Sequence, residues 1–223
     1  MDRSRAPGFA ADSITALLLT VGLLLTANGC AQVLATGLYV WDGGNLAPAE
    51  CDALEGERVV VVCRPPASHE YRYAGASREV AKRVSEKLVE HVKHIDVVNP
   101  REVDNWVDES DWGDFRELAE AVHADKVVYI QFDDFELYKG DTLYQGNADV
   151  TVSVYDVKDR NRQEWERHMG EILYPLNSGI PAQDKSPQQF EREFVEIVSD
   201  NIAVNFYRHD PHAAFALDAL ANR

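Results

Sequence analysis

Residues 58 to 63 read Arg-Val-Val-Val-Val-Cys, and residues 126 to 132 read Lys-Val-Val-Tyr-Ile-Gln-Phe. Four valines in succession, with no polar residue at alternate positions, are the pattern of a strand buried on both faces. Arg64-Pro65-Pro66 ends that run, since proline brings no ladder N–H. The second run is β-branched and aromatic and follows Ala124-Asp125, which makes it a second strand. Between the two the period changes. Val80, Val84, Leu88, Val92 and Ile95 recur at intervals of three and four and predict a helix over 77–95, with Ser77 as its N-cap. A short strand over Ile95 to Val98 follows, and Asn99-Pro100 opens a single helical turn through Trp106. Asp111 or Asp114 then caps a helix whose Phe115, Leu118, Ala119 and Val122 share one face. Strands joined by helical crossovers lie parallel.

Beyond Phe132 the punctuation is that of hairpins. Lys139-Gly140-Asp141, Gln145-Gly146-Asn147 and Lys158-Asp159-Arg160-Asn161 interrupt alternating segments. Ala148, Val150, Val152 and Val154 fall on one face, with Asp149, Thr151, Ser153 and Tyr155 on the other. This predicts an antiparallel meander. Ser186-Pro187-Gln188-Gln189 supplies an N-cap, a proline at the first helical position and a glutamine at the third. The helix it opens runs to about Tyr207 with Phe190, Phe194, Ile197, Val198 and Ile202 inward. The expected fold is therefore α/β (α+β), a single mixed sheet in the order β-α-β-α-β-β-β-α with helices packed on it. Its boundaries are 58–207, with 208–223 as a tail.

Upstream, Arg3 and Arg5 precede an apolar run from Ile14 to Ala27, and Ala27-Asn28-Gly29-Cys30 closes it. That order matches a secretory signal over 1–29. As a helix the run reaches roughly 21 Å against about 30 Å of hydrocarbon, which suits a cleaved signal better than a stable span. The closing residues resemble the bacterial lipobox, in which a peptidase cuts before a cysteine that is then acylated. The resemblance implies lipidation of Cys30 and attachment to a membrane. Cleavage without a lipid, or an uncleaved anchor continuing through Val33 to Trp41, are the alternatives. Residues 30–57 then read as the lipidated cysteine and a tether, with Asp42-Gly43-Gly44-Asn45 and Ala47-Pro48-Ala49 as loop punctuation.

Removing residues 1–29, which carry two arginines and two aspartates, leaves the formal charge at −16. Such a surface repels phosphate backbones and anionic headgroups, so nucleic acid is not an expected partner. With Cys30 assigned to a lipid, Cys51 and Cys63 form an even pair that an oxidising compartment could join as a disulfide. The rival reading of Cys63 is a nucleophile with His69 nearby in sequence.

Arg58 to Cys63, the entry Ala124-Asp125-Lys126-Val127-Val128-Tyr129-Ile130, and Tyr144-Gln145-Gly146-Asn147-Ala148-Asp149-Val150 with its paired strand ending at Asp156 together resemble a family of bacterial envelope proteins. The family includes the curli secretion channel lipoprotein, the lipoprotein activators of penicillin-binding proteins and the N-terminal domain of the Tol translocation protein. Pro48-Ala49-Glu50 after the cysteine is similar to uncharacterised planctomycete lipoproteins. The resemblance implies a fold and an envelope location. The chain lacks the channel's amphipathic hairpins, the Tol propeller and the activators' long tether, so none of those specific roles transfers. Ala31 after the cysteine resembles outer-membrane sorting, which makes the outer membrane the expected one.

No Gly-x-Ser-x-Gly elbow, Walker loop, dinucleotide fingerprint, His-Glu-x-x-His or Cys-x-x-Cys occurs, and neither enzymatic activity nor a cofactor is expected. Asp133, Asp134 and Glu136 follow the second strand, at the end where an α/β sheet places ligands, and are the candidate ligand or cation site. A solvated strand end is the plainer reading. His91 and His94 lie one helical turn apart near the apolar seam, and a structural role outweighs a metal pair. His209 and His212 belong to the tail. Asp104, Asp108, Glu109, Asp111 and Asp114 lack the spacing of a calcium loop, and Trp106 and Trp112 read as packing residues. The expected function is that of an envelope lipoprotein acting through protein interaction in envelope assembly or maintenance. A cation- or ligand-binding envelope protein and a hydrolase of unknown type are the alternatives.

Overall fold

The computed structural model describes residues 46–66, 70–110 and 114–211. Ala47 onward forms one compact unit. Its elements are β1 (Arg58–Arg64), α1 (Glu70–His91), β2 (Asp96–Val97), α2 (Pro100–Glu109), α3 (Phe115–Ala121), β3 (Lys126–Lys139), β4 (Leu143–Asp156), β5 (Arg162–Tyr174), β6 (Ile180–Pro181) and α4 (Pro187–Ala203), the last running into a 3-10 turn at Val204–Phe206. One mixed sheet holds the strands in the order β2-β1-β3-β4-β5, with β6 paired to β4. β1 is parallel to β2 and β3, while β3, β4 and β5 are antiparallel. This is the mixed α/β architecture the sequence predicts.

The valines of β1 divide between two cores. Val59 and Val61 join Val80, Val84, Leu88, Phe190, Phe194 and Val198 under α1 and α4. Val60 and Val62 join Val98, Val103, Leu118 and Val127 under α2 and α3. Ala148, Val150, Val152 and Val154 are each 0 % exposed on the first of these faces, so the predicted alternation of β4 holds. The second pair of helices packs on β1 and on the start of β3. Phe115 of α3 closes that core against Tyr129 of β3 and Tyr155 of β4, with ring centroids 5.2 and 4.5 Å apart.

Several boundaries differ from the sequence reading. α1 begins at Glu70, because Tyr73 and Ala76 extend the apolar stripe backwards, and Ser77 is a buried interior residue rather than a cap. It ends at His91, and His94 turns left-handed at φ 56°. α2 has ten residues, not one turn, capped by Asn99, whose side chain accepts from the Arg101 N–H. β3 has fourteen residues and passes beyond Phe132, because Phe135 and Leu137 resume the buried alternation after a bulge between Phe132 and Asp134. Gln145-Gly146-Asn147 is not a turn but the interior of β4. The turns at Gly140 and at Arg160-Asn161 form as expected, with φ values of 66°, 55° and 59°.

Residues read as tether are packed. Leu54 is 1 % and Cys51 5 % exposed, the Glu50 and Cys51 N–H groups donate to the Asn205 carbonyl at 2.8 and 3.0 Å, and Ala47 exchanges hydrogen bonds with His209. The domain edge thus falls near Ala47. Among the described residues no helix is long and apolar enough to cross a membrane.

Candidate functional site

Beyond the contacts of Phe115, this face of β3, β4 and β5 is open among the described residues, with Gln131, Asp133, Glu136, Glu166, His168 and Glu171 exposed, and sheet register sets it out as successive rows. Gln131, Thr151 and His168 form one; Asp134, Asp149 and Glu171 the next; Glu136, Asn147 and Leu173 the third; and Tyr129, Ser153 and Glu166 lie on the other side of the first. Asp133 is the extra residue of the bulge. A bulge re-aims a side chain, and here it brings the Asp133 carboxylate among the Gln131 and Thr151 side chains. Six carboxylates stand on this patch, Asp133, Asp134, Glu136, Asp149, Glu166 and Glu171, and these rows contain no lysine or arginine. The field there favours cations.

Polar contacts order part of it. Gln131 Nε2 donates to Asp133 Oδ1 at 3.1 Å. The Thr151 hydroxyl donates to Asp133 Oδ2 at 3.3 Å and lies 3.2 Å from His168 Nδ1. His168 Nε2 is 3.6 Å from Asp149 Oδ1, and that oxygen is shielded from solvent without a hydrogen-bond partner. Donor atoms of Asp133, Asp149 and His168 all lie within 4.8 Å of one another. Of the three residues proposed from sequence only Asp133 is in this group. Asp134 and Glu136 lie within β3, not at a strand end, in rows further along the sheet. The sequence placed Asp149 and Thr151 together on the outward face. It could not place His168 opposite Thr151, since that depends on a register shift between Val150 and Thr151.

The disulfide expected between Cys51 and Cys63 is not formed, and both are free thiols. Cys51 feels the charges of Glu164 and Lys126, at the end of the sheet where β1 begins, whereas Cys63 lies beside Ser77 near the other end of β1. Four residues of strand separate those ends by about 13 Å, beyond what a disulfide spans. Desolvation pushes the Cys63 thiol up despite the Ser77 contact, the opposite of what a nucleophile requires. It lines a cleft of about 630 Å³ at the carboxyl end of β1, with Arg64, Arg78, Arg116 and Tyr129 among its walls. Arg78 pairs with Asp108 there and Arg116 with Asp114, so these charges are already matched.

The remaining candidates are dispersed. The His91 ring sits 4.3 Å from that of Tyr207, and His94 is exposed beyond the helix end, so the two share no site. Asp114 caps α3 by accepting from the Arg116 N–H, and Trp106 packs against the second core. Cys30, His69, Asp111, Trp112 and His212 lie outside the described residues. Asp125, from the Ala124-Asp125-Lys126 entry to β3, has a structural task. Its carboxylate accepts from the Arg58 N–H at 3.1 Å and pairs with Lys158 at 3.1 Å, tying β3 to β1.

No protein-family model matches the chain, and no curated protein matches it. Similar solved structures are bacterial. The PelC dodecamer from Paraburkholderia phytofirmans shares 13 % identity over 74 % of this chain and 96 % of its own, with a TM-score of 0.45. The lipoprotein GNA1162 from Neisseria meningitidis shares 14 % over 66 % and 97 %, with a TM-score of 0.42. The hypothetical protein CT253 from Chlamydia trachomatis shares 13 % over 68 % and 99 %, with a TM-score of 0.33. Nothing among them supports a planctomycete origin.

Proposed function

We propose that this chain is a lipid-anchored protein of the bacterial envelope that acts through protein interaction in assembly or maintenance of that envelope, without chemistry of its own. The observation that carries the location is the apolar run ending at Gly29-Cys30. Acylated there, the protein would hold its folded body close to a bilayer, outer rather than inner by the identity of Ala31. With the compact unit starting at Ala47, the intervening backbone extends at most about 60 Å, so the folded body would begin within that distance of the lipid surface.

The interaction surface is supported by the open face just described and by β5 beside it. β5 has thirteen residues and pairs on one side with β4, which makes it a sheet edge among the described strands. Long edges recruit other chains unless they are guarded, and β5 carries Arg162, Glu164, Glu166, Arg167, His168 and Glu171. Charges of this kind prevent indiscriminate pairing while permitting a partner of complementary, basic surface.

Two measurements test the reading. Metabolic labelling with a fatty-acid probe is expected to mark the wild type and not Cys30→Ala; labelling of neither would remove the anchor. Affinity isolation from solubilised membranes is expected to recover a stoichiometric protein that is lost when Glu166 and Glu171 are both changed to lysine. Retention of that protein by the charge-reversed chain would place the interface elsewhere.

A further inference from the structure

We propose that Asp133, Asp149 and His168 bind one divalent transition-metal ion of the zinc type on the open face of the sheet. The hydrogen bonds of Thr151 define the site. The Thr151 hydroxyl has one proton, and it goes to Asp133 Oδ2, because a carboxylate can only accept. The contact of 3.2 Å between Thr151 Oγ1 and His168 Nδ1 then requires the ring nitrogen to be the donor. In the neutral imidazole this assigns the lone pair to Nε2. Nε2 points at Asp149 Oδ1, an oxygen out of contact with solvent that receives no hydrogen bond. Two lone pairs facing one another need a cation between them.

The distance selects the kind of cation. At 3.6 Å the pair is too far apart for a direct hydrogen bond. Two ligands of one tetrahedral zinc, each about 2.0–2.1 Å from the metal, stand roughly 3.4 Å apart. Asp133 completes a set of three whose donor atoms already lie within 4.8 Å of each other. The mixed imidazole and carboxylate set suits zinc and its first-row neighbours, whereas calcium and magnesium take oxygen alone.

The surroundings are those of a held site. Gln131 fixes one oxygen of Asp133, and Thr151 orients both Asp133 and the His168 ring, the second layer that metal ligands require. The three ligands stand on three adjacent strands, which set their spacing more tightly than a loop would. Asp134, Glu136, Glu166 and Glu171 surround them and raise the local cation concentration. Three protein ligands leave the fourth position to water.

The test is calorimetric titration of the intact, detergent-solubilised protein with zinc chloride and, separately, with calcium chloride. Saturable binding of one zinc at micromolar Kd, with calcium at least tenfold weaker, is expected. His168→Gln and Asp149→Asn are each expected to raise the zinc Kd at least tenfold while Glu136→Gln leaves it within twofold; thermal melts of all three report that they fold. Cobalt in place of zinc is expected to give the visible bands of a tetrahedral ion in the wild type and in Glu136→Gln, and not in His168→Gln or Asp149→Asn. Zinc binding unchanged by His168→Gln, or lost equally in Glu136→Gln, would reveal only a diffuse acidic face and overturn the proposal. So would an NMR titration showing His168 protonated at neutral pH and undisplaced by zinc, because the proton would then be the missing cation.

Discussion

Gly146 sits in the interior of β4 under α4, where an added Cβ would stand 2.5 Å from the ring of Phe194, itself 0 % exposed. The ring cannot yield without disturbing its tilted contact with Phe135 and its stack with Phe190, so Gly146→Ala is expected to cost about 1–3 kcal/mol, read as a lower urea midpoint. In the sequence this glycine signals a turn, and only the helix lying across it gives the real reason for its presence. Lys126 is another residue whose meaning depends on folding. Its side chain is 8 % exposed, and the ammonium bonds Asp156 at 2.6 Å and Glu164 at 2.8 Å, joining the start of β3 to the end of β4 and the start of β5. Burial pulls the ammonium down, but the two carboxylates outweigh it and hold it above its ordinary range, while Lys126 holds Asp156 below its own. Lys126→Met leaves two carboxylates facing each other and is expected to cost about 3–5 kcal/mol. The signs give a pH test. Asp156 contributes stability above its unfolded value near 4, lost as pH falls through the lowered folded value; Lys126 contributes below its unfolded value near 10.4, lost as pH rises through the raised one. Stability measured across pH should therefore fall at both ends in the wild type and less steeply in Lys126→Met.

Elements with a strong period were legible and elements defined by their neighbours were not. α4 announced itself through Ser186-Pro187-Gln188-Gln189, and in the structure Ser186 Oγ accepts from the Gln189 N–H at 3.2 Å. Ser186→Ala should cost about 1 kcal/mol, a fall of a few degrees in the melting temperature; no change would mean that Pro187 alone sets the helix start. β1 was equally plain because both its faces are apolar. In the sequence β3 ends at half its length because Asp133-Asp134 breaks the alternation, and only pairing with β4 shows that a bulge absorbs the extra residue and the strand continues. The same bulge explains why the candidate site was half legible. Asp133 was visible as an acidic residue after a strand, but its companions come from β4 and β5 through two register shifts that no local pattern encodes.

At the scale of the molecule, the consequential difference concerns where the folded body begins. Composition made residues 31–57 a loose connector, since glycine, proline and polar residues outnumber any periodic apolar set. Leu54 and Cys51 are nevertheless core residues of the face under α1 and α4, and two backbone N–H groups of this segment are satisfied by Asn205, whose amide in turn donates to the Asn201 and Ile202 carbonyls at the end of α4. The segment therefore closes the bottom of the core against the last helix. A chain shortened to begin at Ala47 is expected to unfold in urea with the midpoint of the intact protein. One that begins at Arg58 exposes the Leu54 site and strands the Asn205 carbonyl, a loss of about 3–5 kcal/mol by comparison with deletion of a buried leucine in other cores. Leu54→Ala in the intact chain should reproduce most of that loss. Equal midpoints for the two shortened chains would show that the segment contributes nothing to the fold, and would lengthen the free connector between Cys30 and the domain by the same eleven residues.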